Sequence, residues 1–199
     1  MLSDKNRKLS EQELLSMANV AKMNIRKIFL HWTAGAYGQV FDDYHFCIAE
    51  DGTFDIPVGR ELNALNLLLE HTWRRNSHAV GIAIEACRGA SCSYSDDTGL
   101  NISWGKKAVP TPEQLDGLAR AVAIICFGAD IPLIPDRVMT HAEIADLDGY
   151  GVEDEDPEMK WDLLRYFGMV GNGGDIIRAR AESYLQALQK GVFPWKEQA

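Results

Sequence analysis

Apolar residues recur every three or four positions through "LSEQELLSMANVAKMN", with Ser10 ahead of the run and Glu13 three residues after it. Ser and Glu at that spacing form a capping box, so the pattern predicts a helix over about 11–22. The period then changes. "IRKIFLHW" (25–32) is a short apolar run of β-type residues and predicts a strand. "YHFCIAEDGTFDIPVG" predicts a hairpin, with Asp51-Gly52 as the turn between two apolar-rich runs. In "AVGIAIEA" (79–86), Val80, Ile82 and Ile84 alternate with Gly81, Ala83 and Glu85, the two-residue period of a third strand. Residues 88–110 are rich in Gly, Ser and Asp and predict a long loop.

"TPEQLDGLARAVAIICFGAD" carries Thr111 as a cap, Pro112 at the first helical position and Gln114 at the third, which predicts a helix. "RVMTH" (137–141) predicts a short strand that runs into a histidine and then a loop. The acidic stretch from Asp146 to Glu158 predicts a mobile loop, and "LLRYF" after Asp162 predicts a short helix. "DIIRARAESYLQALQKG" predicts an amphipathic helix stopped by Gly191. Strands alternate with helices and no repeat is visible, so the expected class is α/β in a single domain.

Composition narrows the functions open to such a domain. The chain has 199 residues, 46% of them hydrophobic, enough for one core of ordinary size. A net charge of -9 argues against a nucleic-acid partner, whose phosphates require a basic surface. No apolar run approaches the roughly 18–20 residues of a membrane helix, and "MLSDKNRKLSEQELL" lacks the apolar core of a secretory leader. The expectation is synthesis in the cytoplasm, without a signal peptide and without membrane insertion. Cys47, Cys87, Cys92 and Cys126 are too few for a disulfide framework. Cys87 and Cys92 could approach each other across a loop, but free thiols are the expectation.

Two histidines share a setting: His31 and His141 each follow a β-type run. Strand ends on one edge of an α/β sheet are where ligand sites collect. A hydrolytic zinc site takes three protein ligands, from His and Asp or Glu, and leaves a position for water. Spacing does not name the third ligand here, since carboxylates are plentiful and the HExxH arrangement is absent. Histidines packed for structural reasons remain the alternative at this point.

The blocks "HWTAG" (31–35), "YHFCIAEDGTFDIPVGR" (44–60), "HTWRRNSHAVGIAIEAC" (71–87), "THAEIA" (140–145) and "KWD" (160–162) stand in one order along the chain. In that order they resemble the zinc-dependent N-acetylmuramoyl-L-alanine amidases. That family includes phage lysozyme-type amidases, bacterial recycling amidases and peptidoglycan recognition proteins. The resemblance covers about residues 25–167. It implies a mixed central β-sheet with helices on both sides, and hydrolysis of the amide between N-acetylmuramic acid and L-alanine of peptidoglycan. Around it, residues 1–24 would be an N-terminal helical extension, and residues 168–199 a C-terminal helix packed on the same domain.

Position by position, the resemblance makes His31, His141 and Asp162 the ligands of one Zn2+ per chain. Lys160 matches the cation that stabilises the oxyanion. Tyr44 matches a tyrosine near the metal-bound water, and Glu143 is a further candidate proton acceptor. The loop 71–76 falls at the substrate groove, with His71, Trp73, Arg74 and Asn76 as substrate contacts and an arginine as a clamp for a peptide carboxylate. His45 is expected to be structural, and His78 exposed and without a role.

There is one departure from the family pattern. Recycling amidases carry a catalytic glutamate where this chain has Ala83, and the next carboxylate on that face is Glu85. The general base is therefore left among Tyr44, Glu143 and Glu85. The implied partner is peptidoglycan or a muropeptide, cleaved by a monomer in phage-type wall lysis at the cell wall or periplasm, after release through a holin. The alternatives are a non-catalytic peptidoglycan-binding module and a cytosolic muropeptide-recycling amidase.

Overall fold

The helices begin where their caps place them. In the computed structural model, which describes residues 6–95, 97–151 and 160–193, Ser10 Oγ accepts the Glu13 amide at 3.1 Å. That bond opens α1 (Glu11–Ala21), which follows strand β1 (Asn6–Leu9). The segment expected as a helical extension thus also supplies a strand. β2 (Lys27–Trp32), β3 (Phe46–Ile48), β4 (Phe54–Pro57) and β5 (Ala79–Ile84) come next, within or close to the expected runs.

Residues 88–110 depart from the loop expectation, because β6 (Ser91–Ser95) and β7 (Gly99–Ser103) pair there as a separate two-stranded ribbon. Cys92 and Tyr94 alternate with serines on one strand, and Leu100 and Ile102 alternate with Gly, Asn and Ser on the other, a short alternation within a Gly-, Ser- and Asp-rich stretch whose ten strand residues are all half-buried or exposed. The Thr111–Gln114 capping box starts α2 (Pro112–Ala129) as expected. β8 (Val138–Thr140) then feeds α3 (His141–Asp148) directly. This corrects the expected loop: Thr140 and Glu143 form a second reciprocal capping box, and His141 is the first helical residue. The expected helix after Asp162 is also absent, its residues forming turns. α4 (Gly173–Gln189) closes the fold, with Asn172 as its cap and Gly191 beyond its end.

The expected mobile acidic loop spans Asp146 to Glu158. Its first three residues belong to α3, and 152–159 lie outside the described residues. No described helix is long and apolar enough to cross a membrane. All four cysteines are free.

The main sheet has six strands in the order β1-β4-β3-β5-β2-β8. It is mixed: β8, β2, β5 and β3 run parallel, β4 pairs antiparallel to β3, and β1 pairs antiparallel to β4. α1 packs on α2 and α2 on α4, and these helices cover the face formed by Ile28, Leu30, Phe46, Ile48, Val80, Ile82 and Ile84. All seven are fully buried, each contributing roughly 1.5–3 kcal/mol. α3 lies on the opposite face, where Ile144 meets Phe29 and Ala79. The polar residues of that second face carry the site.

Candidate metal centre and its cleft

His31 sits on the central strand β2 opposite Ala83 of β5 and is completely buried. His141 stands at the head of α3, and Asp162 comes from the turn after the undescribed segment. That turn is tied in at several points. The Asp162 carbonyl accepts the Ala142 amide at 3.2 Å, in the first turn of α3 where amides lack helical partners. Leu163 adopts a left-handed φ of 62°, and the Gly173 amide reaches the Leu164 carbonyl at 2.9 Å. Only glycine allows this approach, since a Cβ at 173 would lie 1.8 Å from the Leu163 carbonyl oxygen. Trp161 packs edge-on against Trp32, ring centroids 4.4 Å apart, and anchors the turn between Lys160 and Asp162.

The three side chains converge through one atom each. His31 Nδ1 lies 3.1 Å from His141 Nδ1 and 3.1 Å from Asp162 Oδ2, and His141 Nδ1 lies 3.2 Å from the same oxygen. With bonds of about 2.0–2.1 Å, a tetrahedral metal ion holds its ligands about 3.3–3.4 Å apart. The observed triangle has nearly that edge, so the donor set fits a metal ion. Among the described residues, this is the group of His, Cys, Asp or Glu that could hold a metal ion.

The electrostatics agree with that use. Burial, the largest influence, lowers the His31 pKa to about 4, against the opposing pull of Asp162. Neutral imidazole is the form that binds metal. Burial pushes the Asp162 carboxyl up, but His141 and His31 together outweigh it and hold the group well below the usual carboxylate range.

A cleft of about 1130 Å³ opens over the triad, lined by Tyr44, Trp73, Arg74, Tyr150, Lys160 and the exposed edges of His141 and Asp162. Lys160 is exposed at its rim. The Tyr44 ring centroid is 5.2 Å from that of His31, and its hydroxyl donates to the Trp32 carbonyl at 3.3 Å. Burial raises the Tyr44 pKa well above its ordinary value, so the phenol keeps its proton at neutral pH. Trp73 is 56% exposed, with the Arg74 guanidinium 4.4 Å above its ring. Both are free to meet a ligand. Arg75 instead pairs with Asp148 at the end of α3.

Of the remaining expected residues, His71 and Asn76 line the cleft, while Glu143 and Glu85 stand elsewhere. Glu143 does not line the cleft. Its carboxylate accepts Arg178 Nη1 and Nη2 at 3.0 and 2.8 Å and the Thr140 amide at 2.8 Å, so it joins α3 to α4. Glu85 is also outside the cleft and fully buried. Its Oε2 accepts the Gly38 amide at 2.7 Å, and burial, with Asp55 adding to it, raises its pKa to about 7. His71 lies at the back of the cleft, only 7% exposed, with its ring turned to His31. Asn76 uses Oδ1 to accept the His71 and Thr72 amides, at 3.2 and 2.8 Å, and so shapes the loop.

His45 is buried between the Gly81 amide, which its Nδ1 accepts, and the Leu67 carbonyl, and His78 is exposed. Tyr150 has no counterpart among the expected residues. Its ring centroid is 5.8 Å from Trp73 and 6.2 Å from His141, forming one wall of the cleft. Its position beside a Gly-rich acidic stretch offers no periodic signal.

The family model described as N-acetylmuramoyl-L-alanine amidase matches residues 21–159. Among solved structures, the endolysine N-acetylmuramoyl-L-alanine amidase LysCS from Clostridium intestinale URNW is similar at 20% identity, over 59% of this chain and 69% of that one, with a TM-score of 0.39. No curated protein matches the chain.

Proposed function

The chain belongs to the N-acetylmuramoyl-L-alanine amidase family, and we propose that it cleaves the N-acetylmuramic acid–L-alanine amide of peptidoglycan with one zinc ion held by His31, His141 and Asp162. The observation that carries this reading is the triangle of donor atoms, 3.1 to 3.2 Å on each side, at the floor of an open cleft. Bound there, zinc would supply Lewis acidity and a water of lowered pKa.

The protein's own groups do the rest. Lys160, at the rim, donates to the carbonyl oxygen as negative charge develops on it. Tyr44 holds its proton at Oη, where it donates to the Trp32 carbonyl beside the His31 ligand, and the phenol oxygen is left to accept from a bound substrate or water. Glu143 is engaged by Arg178, and Glu85 lies away from the cleft, so of the three candidates for proton chemistry Tyr44 is the one that lines the cleft. Trp73 supplies an apolar face for sugar or stem peptide, and Arg74 a charge for a peptide carboxylate. The catalytic unit spans residues 25–167, with 1–24 and 168–199 as its flanking elements.

The role we propose is phage-type wall lysis by a monomer that reaches the wall through a holin pore. Ala83 supports lysis over muropeptide recycling, because it leaves no carboxylate at the strand position paired with His31. Retention of all three donors supports an enzyme over a non-catalytic binding module.

Zinc content and release of L-alanine N-termini from purified peptidoglycan, for wild type and Asp162→Ala, test the reading. One zinc per wild-type chain, with metal and cleavage lost together in the variant, is expected. A wild-type protein that holds zinc and cleaves nothing would make it a binder. Preference for soluble muropeptides over intact sacculi would replace lysis by recycling.

A further inference from the structure

His31 faces the other two donors with Nδ1, which leaves its Nε2 pointing away from the cleft, inside the protein. A neutral imidazole that gives Nδ1 to a metal carries its proton on Nε2, and a buried N–H needs an acceptor. The atoms within reach of Nε2 are His71 Nδ1 at 3.2 Å and Thr72 Oγ1 at 3.4 Å.

His71 is itself held firmly. Its backbone amide is bound by Asn76 Oδ1, and its ring lies on the bare Cα of Gly81, where a Cβ would come within 2.5 Å of the ring. Its own Nε2 is buried without a short hydrogen bond among the described residues, and the Ala79 backbone is the acceptor that acts on the ring. An apolar side chain would fill that space without stranding a polar atom. The short polar contacts of this imidazole lie on its Nδ1 side, to His31 Nε2 at 3.2 Å and to Thr72 Oγ1 at 3.0 Å.

Resting on the zinc reading above, we propose that His71 is a positioning residue for the metal centre: its Nδ1 accepts the Nε2–H of His31 and sets the tautomer and ring plane that aim His31 Nδ1 at the ion. Metal-binding histidines commonly pass this proton to a carboxylate or a backbone carbonyl, and loss of such a partner weakens metal binding roughly 10–100-fold. Here a second imidazole on a glycine cradle takes that part. His71 then touches neither substrate nor metal, which accounts for its burial at the back of a substrate cleft.

The test compares zinc affinity, by competition with a chromophoric chelator, and thermal unfolding of the zinc-free protein. His71→Leu removes the acceptor, and zinc binding is expected to weaken roughly 10–100-fold. His71→Asn puts an amide oxygen where Nδ1 stood and is expected to restore binding close to wild type. Gly81→Ala, which alters none of the three ligands, is expected to weaken binding by displacing the His71 ring. In the zinc-loaded wild type, imidazole ¹⁵N shifts should show His71 protonated on Nε2 and His31 protonated on Nε2.

Equal zinc affinity in wild type and His71→Leu overturns the proposal. So does an equal loss in the Leu and Asn variants that follows their zinc-free stability, since that would make His71 a packing residue. The ¹⁵N result decides the matter if the variants fail to fold, because a proton on His71 Nδ1 is incompatible with acceptance. Failure of the wild type to bind zinc overturns the zinc reading itself, and this proposal with it.

Discussion

Both faces of β5 are buried, but in different surroundings. Val80, Ile82 and Ile84 enter the apolar layer beneath the helices, where burial alone is stabilising. Gly81, Ala83 and Glu85 face the other way, onto His71, the row of His31 and the Gly38 amide. On that side every buried polar atom needs a partner, and the partners come from distant parts of the chain. The apolar face therefore tolerates exchange between side chains of similar volume, while the polar face is specific atom by atom. A register slip of one residue would exchange the two faces and destroy both.

Predictions that separate the faces follow from this. Lys160→Ala should lower kcat by roughly 10²–10³-fold while zinc content and melting temperature stay at wild-type values. Steady-state kinetics beside a melt and a metal assay would check it. A matching loss of zinc would blur the division between ligands and cleft. On the apolar face, Ile82→Ala should cost about 3 kcal/mol of stability in urea titration, with turnover per folded molecule unchanged. Lost activity at full folding would show the two faces to be coupled.

Arg178→Ala leaves Glu143 without its guanidinium partner and should cost about 3 kcal/mol, while kcat at temperatures below the melt stays within twofold of wild type. A larger kcat effect would return Glu143 to the chemistry.

Glu85 gives the pH dependence. Its folded pKa of about 7 lies above its ordinary 4.5, so between those values the folded state holds a proton that the unfolded state has released. Its contribution is complete below pH 4.5 and is lost as pH rises through 7, a decline on the order of 3 kcal/mol. Glu85→Gln should flatten the stability curve over that window, and denaturant titrations across it would reveal an unchanged slope if Glu85 is not responsible. The smallest effect is expected at the cleft surface: Trp73→Ala should raise KM roughly threefold to tenfold with kcat intact.

Where local chemistry decides structure, the chain was legible. Ser10 with Glu13 and Thr111 with Gln114 announced α1 and α2, and Asp51-Gly52 announced the β3–β4 turn. Thr140 and Glu143 carry the same capping spacing, and that signal could have revealed α3 and removed Glu143 from the candidate bases. The β6–β7 ribbon gave only a short sign, Cys92 and Tyr94 opposite Ile102 and Leu100, because neither of its faces is buried deeply enough to demand a longer apolar run.

The sequence by itself determined the helix starts, the alternation that sets each strand's faces, and the ordered blocks that resemble an amidase, all encoded within a few residues of each other. Only the tertiary structure decided which polar side chains meet. His31 and His141 are 110 positions apart, Glu143 and Arg178 are 35 apart, and His71 reaches His31 across 40. Neither spacing nor composition could separate the proposed metal ligands, the Glu143–Arg178 helix clamp and the proposed positioning imidazole. Those roles depend on which lone pair or proton each buried group finds within about 3 Å, and the sheet order and the helices packed on it set that distance.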